Sequence, residues 1–312
     1  MAGGHIVVAC VLAFVAPLWL LLLGPLLLGV PHVVSDLRYL VVRPVAAVPR
    51  AALLAIGAGL AAMTVCRVAA MAGLSVDLRA ELACGAFATF AAVALSSPAG
   101  RLKTAALGGV ILVGWLALEN PAQTILIVAY GHNVIAFGLW LWLARKIGPP
   151  RHLVPAVSLY LAATLLILGG AADALVPAVF LSDVGGLTLG QMTETLAPGF
   201  DPIWATRLVT WFAFSQAVHY IIWLRLVPQQ QAARSAPPTW RRSARDLRRD
   251  LGQGGLMLVV ALSVGLPLWA LLGSATDVRA LYLSVVVFHG WLEIAMFSAI
   301  ATSGAGSPAG AS

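Results

Sequence analysis

Long apolar runs, separated by short polar stretches, organise this chain. Nine of them approach the length that a helix needs to cross a bilayer: about 6–30, 51–73, 79–97, 103–118, 122–144, 153–180, 203–226, 254–273 and 279–302. The fourth is short and ends at Glu119-Asn120-Pro121, where proline suits a tight turn into the fifth. The first has no basic residues before it and is too long for the apolar core of a cleaved signal, so it reads as a retained span. The pattern predicts an all-α fold: a polytopic transmembrane bundle of about nine helices forming one domain over 1–303. The residues from 304 to 312 are rich in Gly, Ala and Ser and predict a disordered tail.

Composition agrees. The 312 residues are 61% hydrophobic and 10% charged, with a mean hydropathy of +0.94, whereas a soluble domain carries about 25% charged residues. The net charge of +7 is gathered in alternate connections. After odd-numbered runs come Arg38, Arg43 and Arg50; then Arg101 and Lys103; then Arg145, Lys146 and Arg151; then a series from Arg225 to Arg249. After even-numbered runs there are only Arg79 and Arg279. The positive-inside rule then predicts an N-terminus outside, a C-terminus in the cytoplasm, and a bilayer partner with an anionic cytoplasmic leaflet. The charge therefore reports topology, and no nucleic-acid partner is expected. There is no P-loop and no nucleotide-binding fingerprint, so no nucleotide partner is expected either. Cys10, Cys66 and Cys84 lie within apolar runs and read as packing residues.

Two connections are long. The outer one, about 181–202, carries Asp183, Glu194 and Asp201 and reads as a partly ordered lid. The inner one, about 228–252, places Trp240, Ala244, Leu247 and Leu251 on one helical face among arginines, the pattern of an interfacial helix on anionic lipid. No internal repeat is evident, which weighs against an inverted-repeat transporter.

The candidate chemistry lies in four histidines on four separate runs: His32, His132, His219 and His289. Imidazole is costly to bury in hydrocarbon, and single histidines on several helices can meet at one metal ion. Counted back from the inner ends of their helices, His32 and His219 lie six residues in, and His132 and His289 about thirteen. At about 1.5 Å per residue the two pairs differ in depth by roughly 10 Å, a gap that helix tilt can narrow. Asp36 follows His32 by four residues and Glu293 follows His289 by four, so each carboxylate shares a helix face with its histidine. Such a carboxylate ligates the same metal or orients the imidazole, or simply satisfies a hydrogen bond inside the bundle. Asn133, Ser215 and Gln216 are candidate supporting groups around the metal, or polar contacts between helices. Asp173 and Arg207, with Arg67, are intramembrane charges in the outer thirds of their helices, and Asp173 is expected to pair with Arg207 or Arg67.

No H-E-x-x-H helix is present, which argues against a membrane zinc protease. Six histidines in total are too few for a di-iron desaturase, and no helix carries two in the way a stacked-haem bundle does. A mononuclear site with several imidazoles suits ferrous iron and dioxygen. The segment Gly29-Val30-Pro31-His32-Val33-Val34-Ser35-Asp36 resembles the Brp/Blh family, bacterial multi-helix membrane proteins that cleave β-carotene to retinal with iron on histidines. Ser215 to Pro228, containing His219, Trp223 and Arg225, is similar in placement to that family's late histidine segment. There the family shows two histidines four apart; here the earlier position is Ser215, so His132 or His289 would supply the missing ligand. The resemblance implies a bacterial inner-membrane protein with Fe(2+) held by His32, His132, His219 and His289. It also implies an apolar small-molecule substrate such as a carotenoid, passing aromatic residues that include Trp211, Phe214, Tyr220 and Trp291. The alternative is a transporter or channel that moves protons, metal ions or a solute past the same histidines. A third class is a lipid-modifying or assembly factor using them as metal-free acid and base groups.

Overall fold

The computed structural model describes residues 2–44, 47–98, 100–146, 149–171, 173, 183–232 and 240–303. Among these there is no β-strand; the sole ladder contact is an isolated bridge between Val184 and Leu187.

The first helix, α1 (Ala2–Val15), stops because Pro17 lacks an N–H and drives the preceding residue out of the helical region, Ala16 taking φ −151° and ψ 48°. Helix α2 (Pro17–Val42) then runs for 26 residues. The expected run 6–30 is corrected accordingly: it is broken in two at Ala16, and His32 lies near the middle of a membrane-length helix rather than at its end. There follow α3 (Arg50–Met71), α4 (Leu78–Ser96), α5 (Arg101–Glu119) and α6 (Pro121–Arg145). The turn between α5 and α6 is the expected one, with Asn120 closing one helix and Pro121 opening the next. Helix α7 (Val154–Leu168) has 15 residues and ends far short of the expected 180, because Gly169-Gly170 turns the chain with Gly170 at φ 91°. Next come α8 (Leu189–Leu196), α9 (Pro202–Ile221), α10 (Trp240–Leu272), α11 (Ala275–Val285) and α12 (Phe288–Thr302). Helix α9 continues through a π turn, Ile222–Leu226, into Val227–Ala232.

Among the described residues, seven helical segments are long and apolar enough to cross a membrane: α2, α3, α4, α5, α6, the part of α10 from Ala244, and Ala275–Thr302. The chain is a multi-pass membrane protein by this measure. Of the nine expected runs, the sixth shows the 15 residues of α7, and its residues 172 and 174–180 lie outside the described ones. The seventh, α9, falls short in hydropathy, since Arg207, Ser215, Gln216 and His219 dilute its apolar residues. Helix α9 is instead sheathed by protein, with Val209, Phe214, Val218 and His219 all buried.

Two compact units divide the chain. The first comprises Met1–Ser35 and Ala136–Tyr282, and α9 is its centre, packed by α1, α2, α7 and α8. Pro25 cannot supply the N–H that the Leu21 carbonyl needs four residues on, and Arg279 Nε donates to that carbonyl at 2.7 Å. Arg279, expected in an outer connection, thus lies within α11 and closes a gap in the ladder of α2. Asp173 lies beyond the end of α7, not in its outer third, and Arg207 grips it from α9 with Nη2 at 2.5 Å from Oδ2. Hydrogen bonds from Arg207 hold the Asp173 carboxyl below its ordinary value. Helix α8 opens on a capping box between Thr188 and Gln191, within the connection expected outside; residues 181 and 182 of that connection lie outside the described residues. Gly252, at φ 74° and ψ 175°, breaks α10 into 240–251 and 253–272. The basic stretch is helical as expected, with Leu247 and Leu251 half-buried, while 233–239 and the tail from 304 lie outside the described residues.

The second unit comprises Asp36–Ile135 and Leu283–Ser312. Helix α4 is its centre, packed by α3, α5 and α12. Arg67 pairs here with Glu81 at 2.5 Å rather than with Asp173. Cys66 and Cys84 here, like Cys10 in the first unit, are free and half-buried. Gly85 lets α12 approach so closely that a Cβ would lie 2.5 Å from Cε2 of Trp291, inside the indole. Gly85→Ala should therefore lower stability in detergent by roughly 1–3 kcal/mol through overpacking. Gly57→Ala in α3, where a Cβ meets nothing within 4 Å, should raise it by roughly 0.5–1 kcal/mol through helix propensity. Thermal unfolding of both variants beside wild type checks the opposite signs.

Candidate functional site

The four histidines fall into two pairs, one within each unit. They are the pairs that share a depth by residue counting: His32 with His219, and His132 with His289.

In the first unit His32 of α2 and His219 of α9 are 2% and 1% exposed. Their Nε2 atoms stand 2.9 Å apart and their rings meet edge to face with centroids 4.9 Å apart. His32 Nδ1–H donates to the Gly29 carbonyl at 3.0 Å, and since a carbonyl only accepts, the proton belongs on Nδ1 and the lone pair on Nε2. Tyr220 presses an edge against His32 with centroids 4.9 Å apart. Gly29 admits Tyr282, whose Oη would lie 2.5 Å from a Cβ at that position.

The two helices are tied beside the pair by a bond that follows from a local irregularity. In the π turn of α9 the N–H of Val227 goes to the Ile222 carbonyl, and Pro228, next in line, has no N–H. Trp223, one turn beyond His219, accepts instead from Ser35 Oγ at 2.6 Å, and Ser35 follows His32 by three residues. Among the described residues, π turns occur only in α2 (Gly24–Leu28 and Leu37–Val42) and α9 (Ile222–Leu226), the helices that carry this pair. Such turns are rare and gather at functional sites.

In the second unit His132 of α6 donates from Nδ1 to the Val128 carbonyl at 3.0 Å, and His289 from Nδ1 to the Val286 carbonyl at 2.6 Å. Their ring centroids are 5.1 Å apart and nearly perpendicular. Gly290 leaves room for His132, whose Cγ would lie 3.4 Å from an added Cβ. Asp36 and Glu293, both 0% exposed, are close enough for their charges to interact. Two carboxylates so placed need a counter-charge or a shared proton.

The expected supporting residues are all buried. Asn133 donates from its amide to the Ala129 carbonyl at 3.3 Å. Ser215 spends its hydroxyl on the Phe212 carbonyl at 3.1 Å. The Gln216 side-chain oxygen meets no hydrogen-bond donor among the described residues. Sequence reasoning missed Ser35 and the carbonyl of Trp223. The signal available was Pro228, which announces a carbonyl in need of a donor but not which donor answers.

The donor set suits a transition metal. Three of the four imidazoles have Nδ1 tied to backbone, which leaves Nε2 as the ligating nitrogen and fixes the ring plane. Two nitrogens held about 2.1 Å from one ion at right angles lie roughly 3.0 Å apart, close to the observed 2.9 Å between His32 and His219. The same separation also serves a hydrogen bond from His219 Nε2–H to His32 Nε2.

Ser35→Ala should cost roughly 1–3 kcal/mol by removing the buried hydrogen bond that ties α2 to α9. Ser215→Ala, whose hydroxyl only doubles an intrahelical carbonyl, should cost clearly less; thermal unfolding of the two in detergent makes the comparison, and equal losses would refute the role given to Ser35. Compared with known proteins, the chain matches no family model, no curated protein and no solved structure.

Proposed function

We propose that this protein is an integral membrane non-haem iron oxygenase acting on an apolar, membrane-dissolved substrate such as a carotenoid, with metal held by histidines. The observation that carries the reading is the His32–His219 pair: two buried Nε2 atoms at ligand-to-ligand spacing, one imidazole oriented by its Nδ1 bond to Gly29. The likeness of Pro31-His32 through Asp36 to the Brp/Blh family supports iron over other metals that imidazole binds, and supports a polyene over other apolar substrates. Bound iron would supply activation of dioxygen. The chain's own part is to present neutral imidazoles, keep water away with Tyr220 and Trp223, and hold α2 to α9 through Ser35. A substrate dissolved in the bilayer suits a chain whose helices expose broad apolar faces, such as Ile111, Leu112 and Val113 on α5.

A second reading, passage of protons or metal ions, is favoured by the buried carboxylates Asp36 and Glu293 on membrane-length helices. Elemental analysis and an absorption spectrum of detergent-purified protein separate the two. The oxygenase reading expects about one iron per chain, no haem band, and loss of most of that iron in both His32→Ala and His219→Ala. Protein without metal, paired with proton or ion flux in proteoliposomes, would replace it with transport. His132→Ala and His289→Ala, measured in the same way, decide separately whether the second pair takes part.

Within this reading the alternation of basic connections supports an N-terminus outside and a cytoplasmic C-terminus. A reporter fused to the C-terminus should be active inside the cell; activity outside alone would reverse the topology.

A further inference from the structure

The cytoplasm-or-exterior boundary of α6 holds a feature that the histidines do not explain. Gly138, Leu141, Trp142 and Arg145 recur at helical spacing along one face of α6 and line a groove with the first turn of α7. Leu153, Val154, Val157 and Ser158 form the opposite wall, all within the first unit. The groove has a volume of about 450 Å³ and is open along one side, a size within the usual span of small-molecule sites, roughly 300–1,000 Å³. Its floor is free: a Cβ on Gly138 would meet nothing within 4 Å.

The mouth is basic and the walls are apolar. Arg145 ends α6, Lys146 follows it, and Arg151 lies in the connection to α7; all three are exposed. Lys146 Nζ stands 3.6 Å from the centroid of the Trp142 ring, which holds the ammonium over the rim. From Asn120 to Ala172 the sequence contains no Asp or Glu, and among the described residues no carboxylate forms an ion pair with these cations. Because α6 is of membrane-crossing length and Arg145 is its last residue, the mouth falls at the boundary between hydrocarbon and water, where tryptophan and basic residues concentrate.

We propose that this groove is a binding site for one anionic phospholipid. The acyl chain lies along Leu141, Val154 and Val157, and the phosphate is held at the rim by Arg145 and Lys146. A flexible chain of methylenes suits the apolar walls, and a fixed negative headgroup supplies a counter-charge that no described carboxylate gives here. Arginine offers its forked donors to the phosphate oxygens, while the lysine caps them as a point charge.

The test is native mass spectrometry and thermal unfolding of detergent-purified protein supplied with phosphatidylglycerol or phosphatidylcholine of identical chains. Phosphatidylglycerol should be retained and should raise the melting temperature more than phosphatidylcholine does. Arg145→Gln with Lys146→Gln should weaken its retention roughly tenfold or more. Gly138→Leu, whose Cβ would meet nothing within 4 Å, should weaken retention of both lipids while leaving the lipid-free melting temperature near that of wild type. Equal retention of the two lipids by wild type, or undiminished phosphatidylglycerol retention in both variants, would overturn the site. Displacement of phosphatidylglycerol by millimolar inorganic phosphate, with Gly138→Leu behaving as wild type, would reduce it to a bare anion contact and overturn it equally.

Discussion

Backbone polar groups inside a bilayer-length helix have no water to turn to, so every interruption of a helical ladder must be answered by another part of the protein. In the first unit this constraint explains the cross-links that matter most. Pro25 deprives the Leu21 carbonyl of its partner, and Arg279 supplies one from α11. The π turn after His219, followed by Pro228, leaves the Trp223 carbonyl to be met by Ser35. Each repair joins two helices at a defined height and rotation. Packing of apolar side chains alone would hold the same helices together with far less control over register.

The histidine pairs extend the same logic. His32, His132 and His289 each give the Nδ1 proton to a carbonyl of their own helix. The ring is thereby fixed and one nitrogen is left to face its neighbour. An imidazole that must be neutral to be buried is also an imidazole ready to act as a ligand or a proton acceptor. Beside the first pair, Tyr282 fills space closely enough that Gly29 has no room for a side chain. Positions set this rigidly favour chemistry that needs fixed geometry.

Charge is handled locally in both units. Arg67 with Glu81 and Arg207 with Asp173 are direct pairs, each within its own unit. Gly170 makes the second pair possible twice over: its positive φ turns the chain out of α7, and a Cβ there would strike the Asp173 carboxylate at 2.7 Å. Asp36 and Glu293 are two further buried carboxylates, close enough for their charges to interact.

Much of the architecture was legible from apolar run length, since hydrocarbon thickness dictates helix length whatever the helix packs against. Composition likewise pointed to a helical membrane protein. What run length hid was set by backbone events and burial. Pro17 splits the first run although apolar residues continue through it, and Gly169-Gly170 ends α7 although the apolar pattern runs on. Helix α9, read from run length as a span, carries polar residues that protein covers, whereas a lipid-facing helix would expose them to hydrocarbon. The sequence by itself determined which residue types enter the apolar interior and at what depth, because those follow from local period and length. Only the tertiary structure decided that Ser35 answers Trp223, that Arg279 answers Leu21, and that His32 Nε2 stands 2.9 Å from His219 Nε2. These contacts join residues more than 180 positions apart in the chain, and a rotation of one helix by a single residue, about 100°, would remove them without changing any local pattern.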